Sequence, residues 1–418
     1  MHWTECTSKF LGVRITTHSP IPGPPLALPV LYRASLLLLT AATLLGGVDA
    51  RGQSDEYDAS WYAPDAPHLQ IAVTADGVYR VDAASLRGAL PDGTALSDIS
   101  PSTIRLLENG REVPIQLQGT ADGTLDAGDT ITFVGRRNRG TDELWAYNGD
   151  ASAQSSTYRS LYSDTTYYWM TWGGADGRRY DVQASTGGSA TTTALRDTVR
   201  AERDRRYYFG RPNENGNALY TPSEGYYWRR FSHNDTSPIT FTHTLPVGRR
   251  TDTSAEQLAL TVRLDAATNS CHRVELEGRL RDGGSTSYAS LETTEWEGTT
   301  RQTVSTSVDQ DRIPDGGLEL RLTSYNGGFS QSSCPDPSGT PNYVLLDWIE
   351  GAYTRTLAAQ NDRQRFVAPT TGEETFGLRG YADGPVSVYN PRDGRRFEAT
   401  VSNGTATVTD APSTAPAP

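Results

Sequence analysis

The stretch PNYVLLDWIEGAYTR, from Pro341 to Arg355, predicts one long buried strand. Apolar or aromatic side chains occupy both parities of the stretch, which is typical of a strand that is covered on both faces. Asp347 interrupts this pattern. We interpret it as a structural acceptor that caps backbone amides or pairs with an arginine, and not as a catalytic acid, and we assign a structural role to the adjacent Trp348.

The composition around this strand indicates an all-β protein. Gly, Thr, Ser, Asp and Tyr are abundant, apolar runs are short, and turn dipeptides recur about every ten residues. No long amphipathic helix is visible in the sequence. We therefore predict an all-β fold with two β-rich domains, the second a jelly-roll-like β-sandwich, followed by a small C-terminal β segment.

The formal net charge of the 418-residue chain is -12 at pH 7. Because phosphate binding requires clustered cations, a chain with this excess of carboxylates is expected to repel polyanions. The sequence therefore predicts no nucleic-acid partner.

The first 50 residues predict a leader with a secretory signal peptide. Tyr32-Arg33 precede an apolar run over 34–45 that is too short to span a bilayer, and a small-residue cleavage site follows at Ala50. The Pro-rich residues upstream are atypical of a signal peptide, so we expect the true start to lie later, with Val30 as a candidate initiator. Residues 51–68 then form a predicted linker.

Export would remove Cys6 and leave Cys271 and Cys334 in an oxidising compartment. We predict one disulfide between them, which would stabilise the fold by roughly 4 kcal/mol. The alternative, a cysteine nucleophile, would require a partner histidine, and the adjacent His272 would face the other side of a strand.

Residues 69–183 predict an N-terminal β domain that begins with hairpins. Asp76-Gly77 and Asn109-Gly110 each separate two strand-like runs and are strong hairpin signals. Residues 83–90 between them are expected to form one short helix. A Gly/Ser/Thr-rich stretch predicts a linker over 184–200.

Asp122, Asp126 and Asp129 crowd a glycine-rich turn in this first domain. Carboxylates are the ligands that calcium prefers, so the three form a candidate calcium site. Their spacing is not that of an EF-hand, and a pair of Asx turns is the alternative interpretation. No other cofactor is predicted.

Residues 201–355 show the period-2 alternation of the predicted β-sandwich. His243 and His272 lie on the apolar parity of their strands, so we interpret both as hydrogen-bonded core histidines, and we assign a structural role to Trp296. Residues 356–410 predict the small β segment, and residues 411–418 form a Pro/Ala tail.

Catalytic motifs are missing from the chain. It contains no G-x-S-x-G, H-E-x-x-H or C-x-x-C, and no phosphate-binding or dinucleotide-binding glycine loop. We therefore predict no catalytic residue.

The order of several strand-like segments resembles the non-catalytic N-terminal region of gingipain-like cysteine peptidases, above all the PorU-type sortases of the type IX secretion system. The resemblance covers nearly the whole predicted mature chain. Its segments are GVYRVDAASL (77–86), IRLLENGREVPI (104–115), DGTLDAGDTITFVG (122–135), YYWMTWGGADGRR (167–179), EGYYWRRF (224–231), CHRVELEG (271–278), TEWEG (294–298), LLDWIEGAYTR (345–355) and FGLRGYADGPVSVYNPRDGRRF (376–397).

The resemblance implies a β scaffold whose Cys-His dyad would lie in a caspase-like domain after Pro418, so that this reading frame would be truncated. A full-length parent would cleave C-terminal sorting signals and attach cargo to the cell surface. The implied partners are the downstream peptidase domain and type IX outer-membrane components or secreted cargo. The implied location is the outer membrane, cell surface or periplasm of a Gram-negative bacterium.

A different class of protein remains an alternative. The chain could be a stand-alone secreted adhesin or carbohydrate-binding β-sandwich that displays aromatic rings to a glycan. The candidate rings are Tyr167, Trp172, Tyr226 and Trp228.

Overall fold

A computed structural model describes residues 2–5, 14–17, 61–62, 66–147, 149–151, 154, 156–160, 162–185, 187–207, 225–253, 255–330, 334, 341–368 and 372–411. The predicted signal peptide, the candidate initiator Val30, most of the predicted linker 51–68 and residues 412–418 of the predicted tail lie outside the described residues. In the described part, no helix is long and apolar enough to cross a bilayer.

Strands make up 54% of the structure and helices 8%, which confirms the all-β prediction. The strands of the N-terminal half are β1 (His2–Glu5), β2 (Arg14–Thr17), β3 (His68–Val73), β4 (Gly77–Asp82), β5 (Arg105–Glu108), β6 (Arg111–Val113), β7 (Gln116–Gln118), β8 (Thr130–Gly135), β9 (Thr166–Thr171), β10 (Asp181–Ala184), β11 (Ala194–Glu202) and β12 (Arg206–Tyr207). Those of the C-terminal half are β13 (Tyr226–Tyr227), β14 (Arg229–His233), β15 (Ile239–Leu245), β16 (Gln257–Ala266), β17 (Cys271–Asp282), β18 (Ser285–Glu297), β19 (Arg301–Asp309), β20 (Leu318–Tyr325), β21 (Asn342–Thr356), β22 (Arg363–Phe366), β23 (Glu374–Arg379), β24 (Gly384–Asn390), β25 (Arg395–Val401) and β26 (Thr405–Asp410).

Helical segments are short throughout the described residues. The α-helix α1 spans Ala83–Leu86 and continues into a 3-10 turn, Arg87–Ala89, which confirms the short helix predicted over 83–90. The other 3-10 segments are Leu96–Asp98, Pro101–Thr103, Thr120–Asp122, Gly140–Tyr147 and Gln310–Arg312.

The chain forms two compact units, of which the smaller comprises Phe10–Asn138 and Ser163–Arg179. Its two sheets have the strand orders β2-β3-β9-β5-β6 and β4-β8-β7. Side chains of alternate parity from both sheets and from α1 form one core, with Ile71, Tyr79, Leu86, Phe133 and Tyr168 among its buried members.

One of the two predicted hairpins in this unit is present. β5 and β6 pair across Asn109-Gly110, and both turn residues have the positive φ angles of a type I′ turn. The hairpin predicted at Asp76-Gly77 was wrong, because β3 pairs with β9 whereas β4 pairs with β8. The chain does turn at these residues, but the turn leads from β3 in one sheet to β4 in the other sheet.

The larger unit comprises Met1–Lys9, Arg139–Tyr162 and Tyr180–Pro418. One of its sheets has the order β11-β21-β16-β19, with β14 also paired to β21, and another has the order β15-β20-β17-β18. Inward side chains of both sheets form a single core, which confirms the predicted β-sandwich. Its buried members include Leu258, Leu260, Val262, Leu264, Leu318, Leu320 and Leu322.

The C-terminal strands of the larger unit have a core of their own. One sheet has the order β10-β25-β24-β1-β22 and another pairs β23 with β26. Leu195 of β11 joins this core, together with Phe366, Phe376 and Val388. Residues 194–200, which were predicted to be part of a linker, belong to β11, because every residue of that strand pairs with β21.

β21 contains the stretch that dominates the sequence, and its core-facing parity changes along its length. Val344 and Leu346 face the core in its first half, whereas Ile349 and Tyr353 do so in its second half. The long buried strand predicted over 341–355 is present as β21, but its change of parity was not predicted, since an ideal strand keeps one parity toward each side.

The change of parity is caused by a β-bulge. The ladder between β21 and β16 slips at this point, so that two residues of β21, Asp347 and Trp348, lie opposite one residue of β16, Arg263. An extra residue in one strand shifts the alternation by one position and strengthens the local twist. The aspartate that interrupts the sequence pattern is thus part of the irregularity itself.

Candidate functional site

The outer face of the sheet β11-β21-β16-β19 carries ionisable side chains around the bulge. These positions alternate with the core-facing ones, so they point away from the core. We call them the bulge cluster, which consists of Arg200 and Glu202 of β11, Arg263 and Asp265 of β16, Arg301 of β19, and Asp347 and Trp348 of β21. It contains three arginines and three carboxyl groups.

Two of the three carboxyl groups have arginine partners. Arg200 Nε donates to Glu202 Oε2 at 2.7 Å, and both side chains are largely buried. Arg301 Nε lies 3.5 Å from Asp265 Oδ1. The Tyr227 hydroxyl donates to the other Asp265 oxygen at 3.2 Å. These contacts stabilise Glu202 and Asp265 as carboxylates.

Asp347 is in a different position. Its side chain is 5% exposed, and its Oδ1 has no hydrogen-bond partner in the described part of the chain. Burying a charged oxygen without a partner is unfavourable by several kcal/mol, so the neutral acid is the favoured form. Asp347 was predicted to accept a hydrogen bond from a backbone amide or an arginine. In the described part of the chain, no such donor contacts its Oδ1.

The electrostatics of the cluster follow from burial and from neighbouring charge. Burial, and after it the nearby Glu202 and Asp265, raise the pKa of Asp347 to about 8 against the opposing effect of Arg200 and Arg301. Burial also raises the pKa of Glu202 and of Asp265, although their arginine partners oppose it. With a pKa of about 8, Asp347 holds a proton near neutral pH.

Trp348 lies between two arginines. The guanidinium carbon of Arg200 is 4.0 Å from the Trp348 ring centroid, and that of Arg263 is 5.4 Å away. Both distances are in the range of a cation–π interaction. The indole therefore contacts two of the three arginines of the bulge cluster, and its structural role stays a prediction.

A segment from earlier in the chain lies against the end of β11. We call residues 156–160 the strap, and they belong to the larger unit. Arg159 Nη2 donates to the Glu202 carbonyl at 3.3 Å, and Arg159 Nη1 lies 3.4 Å from Asp204 Oδ2. The Tyr158 ring lies 5.1 Å from the Arg200 guanidinium. The strap is therefore attached to the residues that make up the bulge cluster or adjoin it.

A second polar cluster lies near the start of β17. Cys271 and Cys334 form a disulfide with a Cα–Cα distance of 5.6 Å. The carbonyl of Cys271 accepts a 2.9 Å hydrogen bond from Asn342 Nδ2. Since Asn342 begins β21, the disulfide and this bond connect three separate parts of the chain.

His272 and Trp296 belong to the same cluster. His272 Nδ1 lies 2.6 Å from Asn342 Oδ1, and its Nε2 lies 3.0 Å from the Thr268 carbonyl. The Trp296 ring is 5.1 Å from the imidazole. Burial lowers the pKa of His272, and the bonds to Asn342 and Thr268 partly oppose this. The contacts are those of a hydrogen-bonded core histidine.

The three aspartates of the candidate calcium site are arranged as turn residues. Asp122 Oδ1 accepts from the Thr124 amide at 3.1 Å, and the Asp126 amide donates to Asp129 Oδ2 at 2.6 Å. Among the residues that the structure describes, no group of three or more His, Cys, Asp or Glu is placed to hold a metal ion. Asp122 forms an Asx turn, whereas Asp129 accepts from the amide three residues before it, and calcium binding stays a prediction.

The four aromatic rings named for glycan binding differ in exposure. Tyr167 and Tyr226 are 46% and 40% exposed. Trp172 and Trp228 are only 9% and 6% exposed, and each belongs to a hydrophobic core. The last two rings were therefore wrongly expected at the surface, because the period-2 pattern does not tell which face of a strand is covered.

Sequence reasoning identified Asp347 and Trp348 but missed their charged neighbours. Arg200, Glu202 and Asp265 come from strands far away in the chain, and only the strand register brings them to the bulge. The alternation of charged and apolar residues along β11 and β16 predicts which side chains point away from the core. It does not predict which residues of other strands they contact.

No family model and no curated protein matches this chain. Among solved structures, it is similar to dimeric latent PorU from Porphyromonas gingivalis, with a TM-score of 0.50 and 16% identity over 82% of this chain. The chain spans 30% of the length of that structure. At this level of identity the likeness concerns the fold alone.

Two carbohydrate-binding modules are also similar, but their TM-scores are too low to carry an argument. The CBM36 module in complex with calcium and xylotriose has a TM-score of 0.18 and 14% identity, and it covers 37% of this chain and 98% of its own. The CBM22-1 xylan-binding domain of Paenibacillus barcinonensis Xyn10C has a TM-score of 0.21 and 11% identity, and it covers 42% of this chain and 93% of its own.

Proposed function

We propose that this chain is the non-catalytic β scaffold of a secreted gingipain-like cysteine peptidase of the PorU type, in which it supports a separate peptidase domain. The observation that carries the proposal is the fold likeness to latent PorU over 82% of the chain. The order of the strand-like segments in the sequence supports it independently. In the full-length parent, the activity would be cleavage of C-terminal sorting signals and attachment of cargo to the cell surface.

The state of the cysteines is consistent with a scaffold. Cys271 and Cys334 are bonded to each other, and Cys271 is buried, so neither offers the thiolate that a cysteine peptidase requires. A nucleophile would have to come from another part of the parent protein. A disulfide also fits an oxidising compartment outside the cytosol.

The proposed location and partners follow from the same assignment. We place the protein at the outer membrane, the cell surface or the periplasm of a Gram-negative bacterium. Its partners would be the peptidase domain, type IX outer-membrane components and secreted cargo. Surface labelling of intact cells, followed by mass spectrometry of this chain, would test the location.

The proposal is tested by sequencing the gene beyond codon 418. We expect a gingipain-like peptidase domain with a Cys-His dyad to follow, in this frame or after a frameshift. A genuine stop codon with no peptidase domain within reach in any frame would contradict the scaffold assignment. Mass determination of the endogenous protein provides the control against a sequencing error.

A second function, binding of a carbohydrate by a stand-alone β-sandwich, is favoured by the exposed rings of Tyr167 and Tyr226. Such rings can stack on a sugar face. Glycan-array binding that is lost in Tyr167→Ala or Tyr226→Ala, with an unchanged melting temperature, would support this function. Binding that survives both substitutions, or no binding at all, would exclude these rings as its site.

A further inference from the structure

The bulge cluster joins a buried acid to the attachment points of the strap. We propose that Asp347 is a protonation switch: while it holds its proton, the strap stays closed on the sheet, and loss of this proton to solvent loosens the strap. This inference is independent of the proposed function.

The first step of the argument is the charge balance of the cluster. Glu202 and Asp265 already have arginine partners, at 2.7 Å and 3.5 Å respectively. A third carboxylate at Asp347 would be buried beside these two and would have no hydrogen bond at its Oδ1 in the described part of the chain. Two carboxylates near a third disfavour its ionisation, so the neutral acid fits the site.

The second step is the bulge. Two residues of β21 lie opposite Arg263, so Asp347 has no partner of its own in the ladders that β21 forms with β16 and β11. A bulge places a side chain where a regular strand would not, and bulges occur often beside functional sites. The acid therefore cannot turn to solvent when it loses its proton, unless the surrounding strands or the strap move.

The third step connects the acid to the strap. Arg200, which contacts the Tyr158 ring, and Glu202, whose carbonyl accepts from Arg159, are both charged neighbours that affect Asp347. A negative charge on Asp347 would attract the Arg200 guanidinium and repel the Glu202 carboxylate. Both movements disturb residues that hold the strap.

Other ionisable groups around Asp347 also contribute to the charge balance of the bulge cluster. The groups that face or adjoin it come from each neighbouring element: Arg200, Glu202 and Asp204 at the end of β11, Tyr227 of β13, Arg263 and Asp265 of β16, Arg301 of β19, Glu350 of β21, and Tyr158 and Arg159 of the strap. Glu202 is ion-paired with Arg200, and Asp265 with Arg301. The pKa of Asp347 is about 8, so its charge changes in the neutral range.

The experiment is hydrogen exchange of strap peptides, measured by mass spectrometry on the full chain between about pH 6 and about pH 9. The intrinsic exchange rate at a given pH is the same for wild type and variant, so their ratio isolates opening of the strap. We expect wild type and Asp347→Asn to exchange equally at low pH. At about pH 9 the wild-type strap should exchange roughly tenfold faster, because each pH unit above the pKa changes the protonated fraction tenfold.

Glu350→Gln is the matched control. Glu350 lies on the same strand, 3.6 Å from Arg200, but its side chain is partly exposed. This variant should keep the wild-type pH response. The proposal is overturned if Asp347→Asn retains the wild-type response or if the wild-type strap shows no response.

A second variant covers the case in which Asp347→Asn does not fold. Glu202→Gln keeps Asp347 but removes the neighbouring negative charge that favours its protonation. The pH at which the strap loosens should then move to lower values. An unchanged transition in Glu202→Gln would contradict a switch at Asp347.

Discussion

At the residue scale, the charge state of Asp347 determines how the stability of the larger unit depends on pH. Its pKa of about 8 in the folded protein lies above the ordinary value of 3.8, so the folded state binds a proton that the unfolded state releases. This contribution is fully present below about pH 4 and is lost as the pH rises through about 8. We expect the free energy of unfolding to fall over this window.

Asp347→Asn should remove this dependence, because the amide resembles the neutral acid in shape and does not ionise. At about pH 8 the variant is expected to be more stable than wild type by roughly 1–3 kcal/mol, and below about pH 4 to be equal or less stable. Urea denaturation at several pH values measures the difference. A variant that loses stability equally at every pH would show that the side chain acts through packing alone.

His272 should act in the opposite direction. Burial lowers its pKa below the ordinary 6.5, so the folded state binds fewer protons than the unfolded state, and stability falls as the pH drops below about 6.5. His272→Gln should lower the free energy of unfolding at neutral pH by about 1–3 kcal/mol through lost bonds to Asn342 and Thr268. The same substitution should also reduce the further decrease in the free energy of unfolding between about pH 6.5 and about pH 5. An equal acid-induced loss in wild type and variant would contradict this.

At the scale of elements, the disulfide ties the start of β17 to the segment between β20 and β21. It joins residues separated by 63 positions. In the chain-entropy description such a closure stabilises by about 4 kcal/mol. We expect Cys271→Ser and Cys334→Ser to lower the free energy of unfolding by similar amounts, about 2–4 kcal/mol.

The measurement is chemical denaturation of both variants and of wild type with and without a reductant. Reductant should lower wild-type stability to the level of the serine variants and leave the variants unchanged. An unchanged wild-type denaturation curve after complete reduction of the disulfide, verified by thiol titration, would contradict a stabilising role for the bond.

The elements also show what local sequence can reveal. The Asn109-Gly110 hairpin was predictable because a type I′ turn is specified by the two residues that form it. The turn at Asp76-Gly77 has the same local signal, yet its flanking strands pair with β9 and β8, which are distant in sequence. The bulge in β21 escaped prediction for a related reason: where both faces of a strand are buried, one inserted residue leaves the apolar pattern almost unchanged.

At the scale of the whole molecule, composition and period-2 alternation were sufficient for the all-β class and for the two-sheet sandwich. The bulge cluster required the register of four strands, which no local pattern contains. Glu202 comes beside Trp348, and Asp265 beside Leu345, only through long-range ladder pairing. The attachment of the strap through Arg159 could not be predicted either, because it depends on how a loop packs and not on a periodic sequence pattern.

The neighbouring rings of Tyr226 and Trp228 provide a test that separates folding from surface recognition. Trp228 packs in the sandwich core, with its ring 5.2 Å from that of Phe241, whereas Tyr226 is substantially exposed. Trp228→Ala should therefore lower the free energy of unfolding by about 3–5 kcal/mol, and Tyr226→Ala by less than about 1 kcal/mol. Denaturation curves of the two variants measure this. If the expected difference is found, loss of glycan binding in Trp228→Ala would report damage to the core, and only Tyr226→Ala could identify a sugar-binding ring. Equal stability losses in the two variants would contradict the core position of Trp228.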